Sequence, residues 1–138
     1  YCTIPKARGK SRSGKIIEII NVIKELVNNG TKEIIMSGIN IGDFGKGNNE
    51  SLLDLLKAIE LIEGLQRYRI SSIEPNLLND NIIYFLSKSK KALPHLHIPL
   101  QSGSDKVLKN MRRRYSVSYY KNLIIRLLFD QNLSLLHF

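Results

Sequence analysis

The segment 97–105, HIPLQSGSD, combines the residue types in this chain that are best suited to binding a ligand. An apolar run of strand character leads directly into a turn rich in side-chain oxygens and small residues. A short helical segment follows, and it ends in the basic sequence MRRRY at 111–115. A strand end with clustered oxygens and little bulk leaves room for a polar group, so we expect a binding site around Gln101 and Ser102.

Two other predicted strands end in similar residues. SGIN at 37–40 follows one apolar run, and SSIEP at 71–75 follows the next. Ligands of parallel α/β proteins bind at the carboxyl ends of the strands, so three small or polar ends predict a shared site. Glu74, which stands between a strand and Pro75, fits a helix-capping group and a ligand contact equally well.

The glycines after the first strand, at 38, 42, 45 and 47, invite comparison with phosphate-binding loops. Their spacing matches neither the dinucleotide fingerprint nor the P-loop, because no Lys-Ser/Thr pair follows and the next helix starts too late. We therefore favour a flexible loop whose backbone approaches a ligand closely.

His95 and His97 alternate along a strand and so point to the same side, as metal ligands do in barrel hydrolases. No carboxylate or third histidine is placed convincingly to complete such a site, which favours a structural role for both. The run Arg112–Arg114 is typical of a solvated helix end. One arginine turned inward could instead pair with a carboxylate or phosphate through its planar fork.

Hydrophobic periodicity predicts alternating helices and strands. Ser13 is a possible N-cap of the first helix, and Ser51-x-x-Asp54 resembles a capping box for the second. The prediction comprises a basic loop at 3–14, helices at 15–28, 51–63, 80–87, 105–111 and 117–128, and strands at 33–37, 68–73 and 95–100. This order indicates an α/β fold, interpreted as a partial (βα) TIM-type barrel with parallel strands and outer helices, since three strands cannot close a barrel.

Charge and composition narrow the class of protein. The 138 residues suit a single domain, and 21 Lys and Arg against 12 Asp and Glu give a net charge of +9. That excess favours a polyanionic partner such as nucleic acid, with a merely solvated basic surface as the alternative. One cysteine excludes an internal disulfide and favours a reducing compartment. No apolar run approaches the roughly 20 residues of a membrane span, so we expect a cytoplasmic protein without a membrane partner.

Together these segments resemble the radical S-adenosylmethionine methylthiotransferases. Family members carry Cys-x-x-x-Cys-x-x-Cys followed by Ile-Pro and Arg-Gly, and CTIP at 2–5 with RG at 8–9 looks like the end of that motif. The segments SGINIG, SSIEPN, HIPLQSGSD and MRRRY extend the similarity over about residues 2–122. The forms SSIEP and GINIG favour the branch that modifies threonylcarbamoyladenosine in tRNA.

The resemblance implies a 4Fe–4S cluster that binds S-adenosylmethionine, and a second cluster in the parent protein as the sulfur source. It also implies an electron donor and a tRNA anticodon loop, whose modified adenosine would be methylthiolated at C2. Cys2 would be a cluster ligand. The implied contacts to S-adenosylmethionine are Gly38, Asn40, Glu74, Gln101, Ser102 and Arg113. The candidates for RNA contact are Lys6, Arg8, Lys10 and Arg12.

Two features depart from the family pattern. The first two cysteines of the motif are missing, and the residues after 128 do not continue it. We therefore interpret residues 1–138 as the central fragment of a radical SAM barrel domain, without the N-terminal cluster domain, the barrel remainder and the C-terminal RNA-binding domain. Alone it is expected to be inactive, to bind no stable cluster, and to be poorly soluble or self-associate through uncovered strand edges. The alternatives are a non-catalytic RNA-binding α/β module and a metal-dependent barrel hydrolase.

Overall fold

The computed structural model describes residues 6–7, 9, 12–38, 40–130 and 135–137. The helices are α1 (Ile16–Asn28), α2 (Leu52–Glu60), α3 (Asp80–Lys88), α4 (Asp105–Asn110) and α5 (Val117–Asp130). The strands are β1 (Glu33–Met36), β2 (Arg67–Ser72), β3 (Ala92–His97) and β4 (Leu135–His137). Short 3-10 helices at Ile41–Asp43 and Pro75–Leu77 follow β1 and β2. The alternation of helices and strands confirms the predicted α/β class.

The strands form one open sheet in the order β1-β2-β3-β4, and every neighbouring pair is parallel. The sequence predicted three of them. β4 was missed because a strand of three residues is too short to show the alternation of apolar and polar residues that predicts a strand. Since all strands run the same way, their carboxyl ends lie at one edge of the sheet. We call this edge the rim, meaning the segments 37–50, 73–78 and 98–104 that follow β1, β2 and β3.

Two prolines shape β3, which begins and ends three residues earlier than predicted. The strand ends at His97 because Pro99 has no N–H to donate to a neighbouring strand. Pro94 lies inside β3, and the register between β2 and β3 shifts on both sides of Ile70. Such a shift is expected where a proline interrupts the ladder.

The hydrophobic core joins the helices to the sheet. The cluster includes Ile20, Ile23, Leu55, Leu56, Ile59, Ile82, Ile83, Leu123 and Leu127 from the helices and Tyr68, Ile70 and Leu96 from the strands. Because helices from both halves of the chain contribute, the core holds the strand ends in a constant relation to one another. Within the described residues, none of the helices has the length and apolar character to cross a bilayer.

The N-terminus of α1 is tied to the loop after β1. The sequence suggested Ser13 as the N-cap of α1, and this prediction is wrong, because Lys15 occupies the N-cap position. The Oγ of Ser13 instead accepts a hydrogen bond from the N–H of Gly45 at 3.1 Å. The helix begins at Ile16, whose N–H donates to both carboxylate oxygens of Glu50 at 3.1 Å. A carboxylate there satisfies an unpaired helix N–H and complements the helix dipole. The segment preceding α1 is therefore anchored at the rim.

The start of α2 follows the sequence prediction. The Oγ of Ser51 accepts a hydrogen bond from the N–H of Asp54 at 3.2 Å. The Asp54 carboxylate in turn accepts from the Ser51 hydroxyl at 2.6 Å. This local cap fixes the point at which the loop after β1 ends.

Candidate cofactor site

Three neighbouring strands place the predicted site residues at the rim. Gly38 follows β1, Glu74 follows β2 and Gln101 follows β3. The ends of β2 and β3 are also joined directly, since the N–H of Ile73 donates to the carbonyl of His97 at 3.1 Å. Adjacent strands lie about 4.8 Å apart, so the ends of β1 and β3 are separated by about 10 Å. A small-molecule cofactor can span that distance.

The backbone beyond β3 is strained at Gln101. Its φ is 69°, in the left-handed region that costs a non-glycine residue about 1–2 kcal/mol. The N–H of Ser102 donates to the carbonyl of Leu100 at 2.9 Å, which closes a three-residue turn around Gln101. The Gln101 side chain is exposed and that of Ser102 is half-buried. Such strain is found at binding sites, where the surrounding structure maintains it.

Two tyrosine hydroxyls hold this turn. Tyr115 shares its one O–H proton between the carbonyls of Pro99 and Leu100, at 3.2 and 3.1 Å, and Tyr120 donates to that of Ile98 at 2.6 Å. Burial raises the pKa of both phenols, which keeps the donors protonated. The sequence predictions missed both tyrosines, because nothing local marks a phenol that binds a distant carbonyl.

α4 ends in a turn that redirects the chain toward β2. The N–H of Arg113 donates to the carbonyl of Leu108, and the N–H of Arg112 to that of Lys109, both at 2.9 Å. These are the paired hydrogen bonds of a Schellman motif. Arg112 occupies the left-handed position of that motif, with φ 57°, where glycine is usual. Arg113 is thereby directed back across the rim.

Arg113 and Glu74 form an ion pair that joins two parts of the rim. Nη1 of Arg113 donates to Oε1 of Glu74, 39 residues earlier in the chain. Both side chains are mostly buried, with 24% and 29% exposed. Within the described residues Glu74 makes no side-chain capping bond to the 3-10 helix that follows it, so the capping role considered from the sequence is wrong. The carboxylate that Arg113 binds in this structure therefore belongs to Glu74 of the protein and not to a ligand.

Three polar atoms, two of the rim and one of Arg113, are buried without a hydrogen-bond partner among the described residues. They are Oδ1 of Asn40, Oδ1 of Asn76 and Nε of Arg113. The amide of Asn40 is held by its other end, since Nδ2 donates to Oδ2 of Asp43 at 2.8 Å. Each such atom costs about 1–3 kcal/mol, which is why they are rare. A cofactor with both an ammonium and a carboxylate would satisfy acceptors and donors alike, so these residues fit S-adenosylmethionine.

Packing or backbone geometry accounts for three of the four glycines after β1. A Cβ on Gly42 or Gly45 would lie 2.5 or 2.0 Å from neighbouring atoms, and Gly47 has a φ of 102°. At Gly38 the nearest atom to a Cβ would be 3.9 Å away, in ordinary contact. The protein's own packing therefore does not require glycine at position 38, and the close approach of a ligand there stays a prediction.

The structure gives less support to the residues predicted to bind metal, the iron–sulfur cluster or RNA. Within the described residues, no group of three or more His, Cys, Asp or Glu side chains is placed to hold a metal ion, so His95 and His97 gain no third ligand. Cys2, like the basic residues at 8 and 10, lies outside the described residues, and its role as a cluster ligand stays a prediction. Lys6 and Arg12 are exposed, and Lys6 has helical backbone, which corrects part of the loop predicted at 3–14.

Comparison with known proteins decides the family. The family model described as "Radical SAM superfamily" matches residues 1–128 of this chain. The chain belongs to the radical SAM superfamily. Membership implies S-adenosylmethionine and a 4Fe–4S cluster, and it accords with the open parallel sheet. The resemblance stated from the strand-end motifs is confirmed, and the metal-dependent hydrolase loses its support.

Individual relatives within the radical SAM superfamily are tRNA-modifying enzymes. The chain is 42% identical over 126 residues to the tRNA-2-methylthio-N(6)-dimethylallyladenosine synthase of Clostridioides difficile, covering 90% of this chain and 26% of the relative. It is 42% identical over 128 residues to the threonylcarbamoyladenosine tRNA methylthiotransferase MtaB of Thermotoga maritima, covering 92% and 30%. The corresponding Bacillus subtilis protein is 41% identical over 129 residues, covering 92% and 29%. The chain thus spans less than a third of the length of these relatives.

Proposed function

We propose that this radical SAM chain is the cofactor-binding part of a tRNA methylthiotransferase, which adds a methylthio group to C2 of a modified adenosine beside the anticodon. The observation that carries the proposal is the identity of about 40% to such enzymes over nine-tenths of the chain. The rim supports it, because three strand ends supply polar groups that suit S-adenosylmethionine.

The residues of the rim would bind and orient the cofactor, which itself supplies the radical chemistry. Gly38 leaves room for the methionine end, and Oδ1 of Asn40 accepts a hydrogen bond from its ammonium. Arg113, oriented by Glu74, offers Nε to the cofactor carboxylate. Gln101 and Ser102 contact polar groups on the β3 side, with their turn held by tyrosine hydroxyls.

The iron–sulfur part of the proposal depends on residues beyond those at the rim. Cys2 would give one thiolate to the 4Fe–4S cluster, which needs several thiolates. A second cluster elsewhere in the parent protein would supply sulfur, and an electron donor would reduce the first. The proposal includes a cytoplasmic location, where a tRNA substrate would be available.

Threonylcarbamoyladenosine is the favoured substrate, on the strength of SSIEP at 71–75 and GINIG at 38–42. Relatives acting in each branch have the same 42% identity, so the test must distinguish the two bases. The full-length protein would be expressed in a bacterial strain lacking its own methylthiotransferases, and tRNA nucleosides would be analysed by mass spectrometry.

We expect 2-methylthio-threonylcarbamoyladenosine to be restored. Methylthiolation of dimethylallyladenosine instead would overturn the choice of substrate, and neither product from a folded protein would overturn the function. Asn40→Ala should reduce product at least tenfold, because it removes the buried Oδ1 acceptor, and should raise the KM for S-adenosylmethionine. The matched control Asn81→Ala, at an exposed position of α3, should leave product unchanged.

A further inference from the structure

The excess positive charge of the chain is confined to two segments. Residues 6–15 contain five Lys and Arg and no acidic residue, and residues 105–121 contain six Lys and Arg and one Asp. The rest of the chain contains ten Lys and Arg and eleven Asp and Glu, a net charge of −1. A background richness in lysine would be spread along the chain, so this concentration points to a particular partner.

The fold ties one residue of each segment to the rim. The first is tied through Ser13 to Gly45, in the loop after β1. The second leaves the end of β3, and Arg113 near its centre pairs with Glu74, after β2. Since β1 and β3 lie on opposite sides of β2, Ser13 of the first segment and the start of the second segment, beyond β3, meet the rim on opposite sides of β2.

Apart from Arg113, the cations of the second segment face solvent. Those in α4 and in the turn that follows it are Lys106, Lys109, Arg112 and Arg114. Within the described residues none of the four forms an ion pair. The single acid of the segment, Asp105, accepts the N–H of Val117 at 2.7 Å. Of the six residues in α4, Leu108 alone is buried, so this helix presents most of its surface outward. We call these four cations the α4 basic surface.

Arg112 gives an independent indication that this surface is used. The same hydrogen-bonded motif ends α1, and there the left-handed position holds Gly30, with φ 95°. Glycine would be more favourable at Arg112 as well. A strained residue that carries a charge beside the site is the pattern expected where binding, rather than folding, determines the side chain.

We infer that the α4 basic surface binds phosphates of the RNA substrate. The choice of RNA among polyanions rests on the proposed function. Contacts from Lys and Arg to phosphates position a nucleic acid without reading its bases. Phosphate contacts at this surface would hold the strand while the modified base reaches the cofactor.

Binding of the 138-residue chain to a fluorescent tRNA anticodon stem-loop would be measured by anisotropy at several KCl concentrations. In the variant Lys106→Gln/Lys109→Gln/Arg114→Gln, the slope of log K against log salt should fall by about 2, at roughly 0.7 per lost contact. Affinity near 0.1 M salt should fall at least about tenfold. The matched control is Lys24→Gln/Lys57→Gln/Lys90→Gln, whose exposed lysines lie toward the amino end of the sheet. Its slope should stay near that of the parent chain.

A second measurement avoids dependence on variant folding. Lysines of the unmodified chain would be acetylated with and without the stem-loop and quantified by mass spectrometry. We expect protection of Lys106 and Lys109 but not of Lys24 or Lys57. Equal slopes for the two variants, equal protection, or no RNA binding by the folded chain would each overturn the inference. None of these results affects the nucleoside test of the proposed function, so the two ideas fail separately.

Discussion

Replacing Arg112 by glycine should stabilise the fold, although it removes a large side chain. The left-handed backbone at Arg112, with φ 57°, costs a non-glycine residue about 1–2 kcal/mol. Glycine avoids this cost, but it loses more conformational entropy on folding, which offsets roughly 0.5–1 kcal/mol of the stabilisation. The hydrogen bond from this residue's N–H to Lys109 is retained, since it belongs to the backbone. We therefore expect a net gain of about 0.5–1 kcal/mol, or about 2–5 °C in Tm for a chain of this size.

The assay is urea unfolding followed by circular dichroism at low micromolar concentration. The matched control is Gly30→Ala, at the same position of the same motif, where φ is 95° and a Cβ would meet nothing within 4 Å. It should lose about 1 kcal/mol through backbone conformation alone. A loss of stability in Arg112→Gly, or no loss in Gly30→Ala, would refute the reasoning. Because Arg112 belongs to the α4 basic surface, we also expect the Arg112→Gly variant to bind RNA more weakly although it is more stable.

Other predictions concern the sheet and the cluster. Burial raises the pKa of Tyr68 to about 12, so its neutral form stabilises the fold fully below pH 10, and roughly 2–3 kcal/mol is lost as the pH rises to 12. Stability against pH should be flatter in Tyr68→Phe, and an unchanged alkaline profile would contradict this. Ile35 is 62% exposed on the edge strand β1, so Ile35→Lys should reduce self-association in ultracentrifugation. Leu61→Lys, at an 81% exposed position outside the strands, should have less effect, and equal effects would exclude the edge as the cause. After anaerobic reconstitution with iron and sulfide, the 138-residue chain should show no stable 4Fe–4S absorption or spin-resonance signal; a stoichiometric cluster on the monomer would show that expectation to be wrong.

The elements of the fold could be predicted because periodicity and capping are local. The helical spacing of Ile20, Ile23 and Val27 identifies the buried face of α1, and Ser51 caps α2 with a residue three positions away. The predictions failed where the cause was not local. The carboxylate that accepts the N–H of Ile16 at the start of α1 belongs to Glu50, 34 residues later, and β4 is too short to produce a pattern of its own.

The candidate site was predicted as a set of strand ends but not as a set of contacts. Parallel strands necessarily bring their carboxyl ends to one edge, so placing Gly38, Glu74 and Gln101 together required only the order of the elements. Which groups touch one another depends on how the chain returns after β3. The path of the chain after β3 produces the ion pair of Arg113 with Glu74. It also produces the hydrogen bonds of Tyr115 to the backbone that follows β3.

The sequence by itself determined the α/β class, the strand-end motifs, the family resemblance and the strongly basic charge, because these depend on residue types and short spacings. Only the tertiary structure decided that Ser13 and Arg113, from two distant basic segments, both bind residues of one rim. It also decided that one arginine of the cluster is held by a carboxylate while its neighbours remain in solvent. The physical reason is that charge and hydrogen-bond partnerships act through space, over distances that only the folded path of the chain makes short.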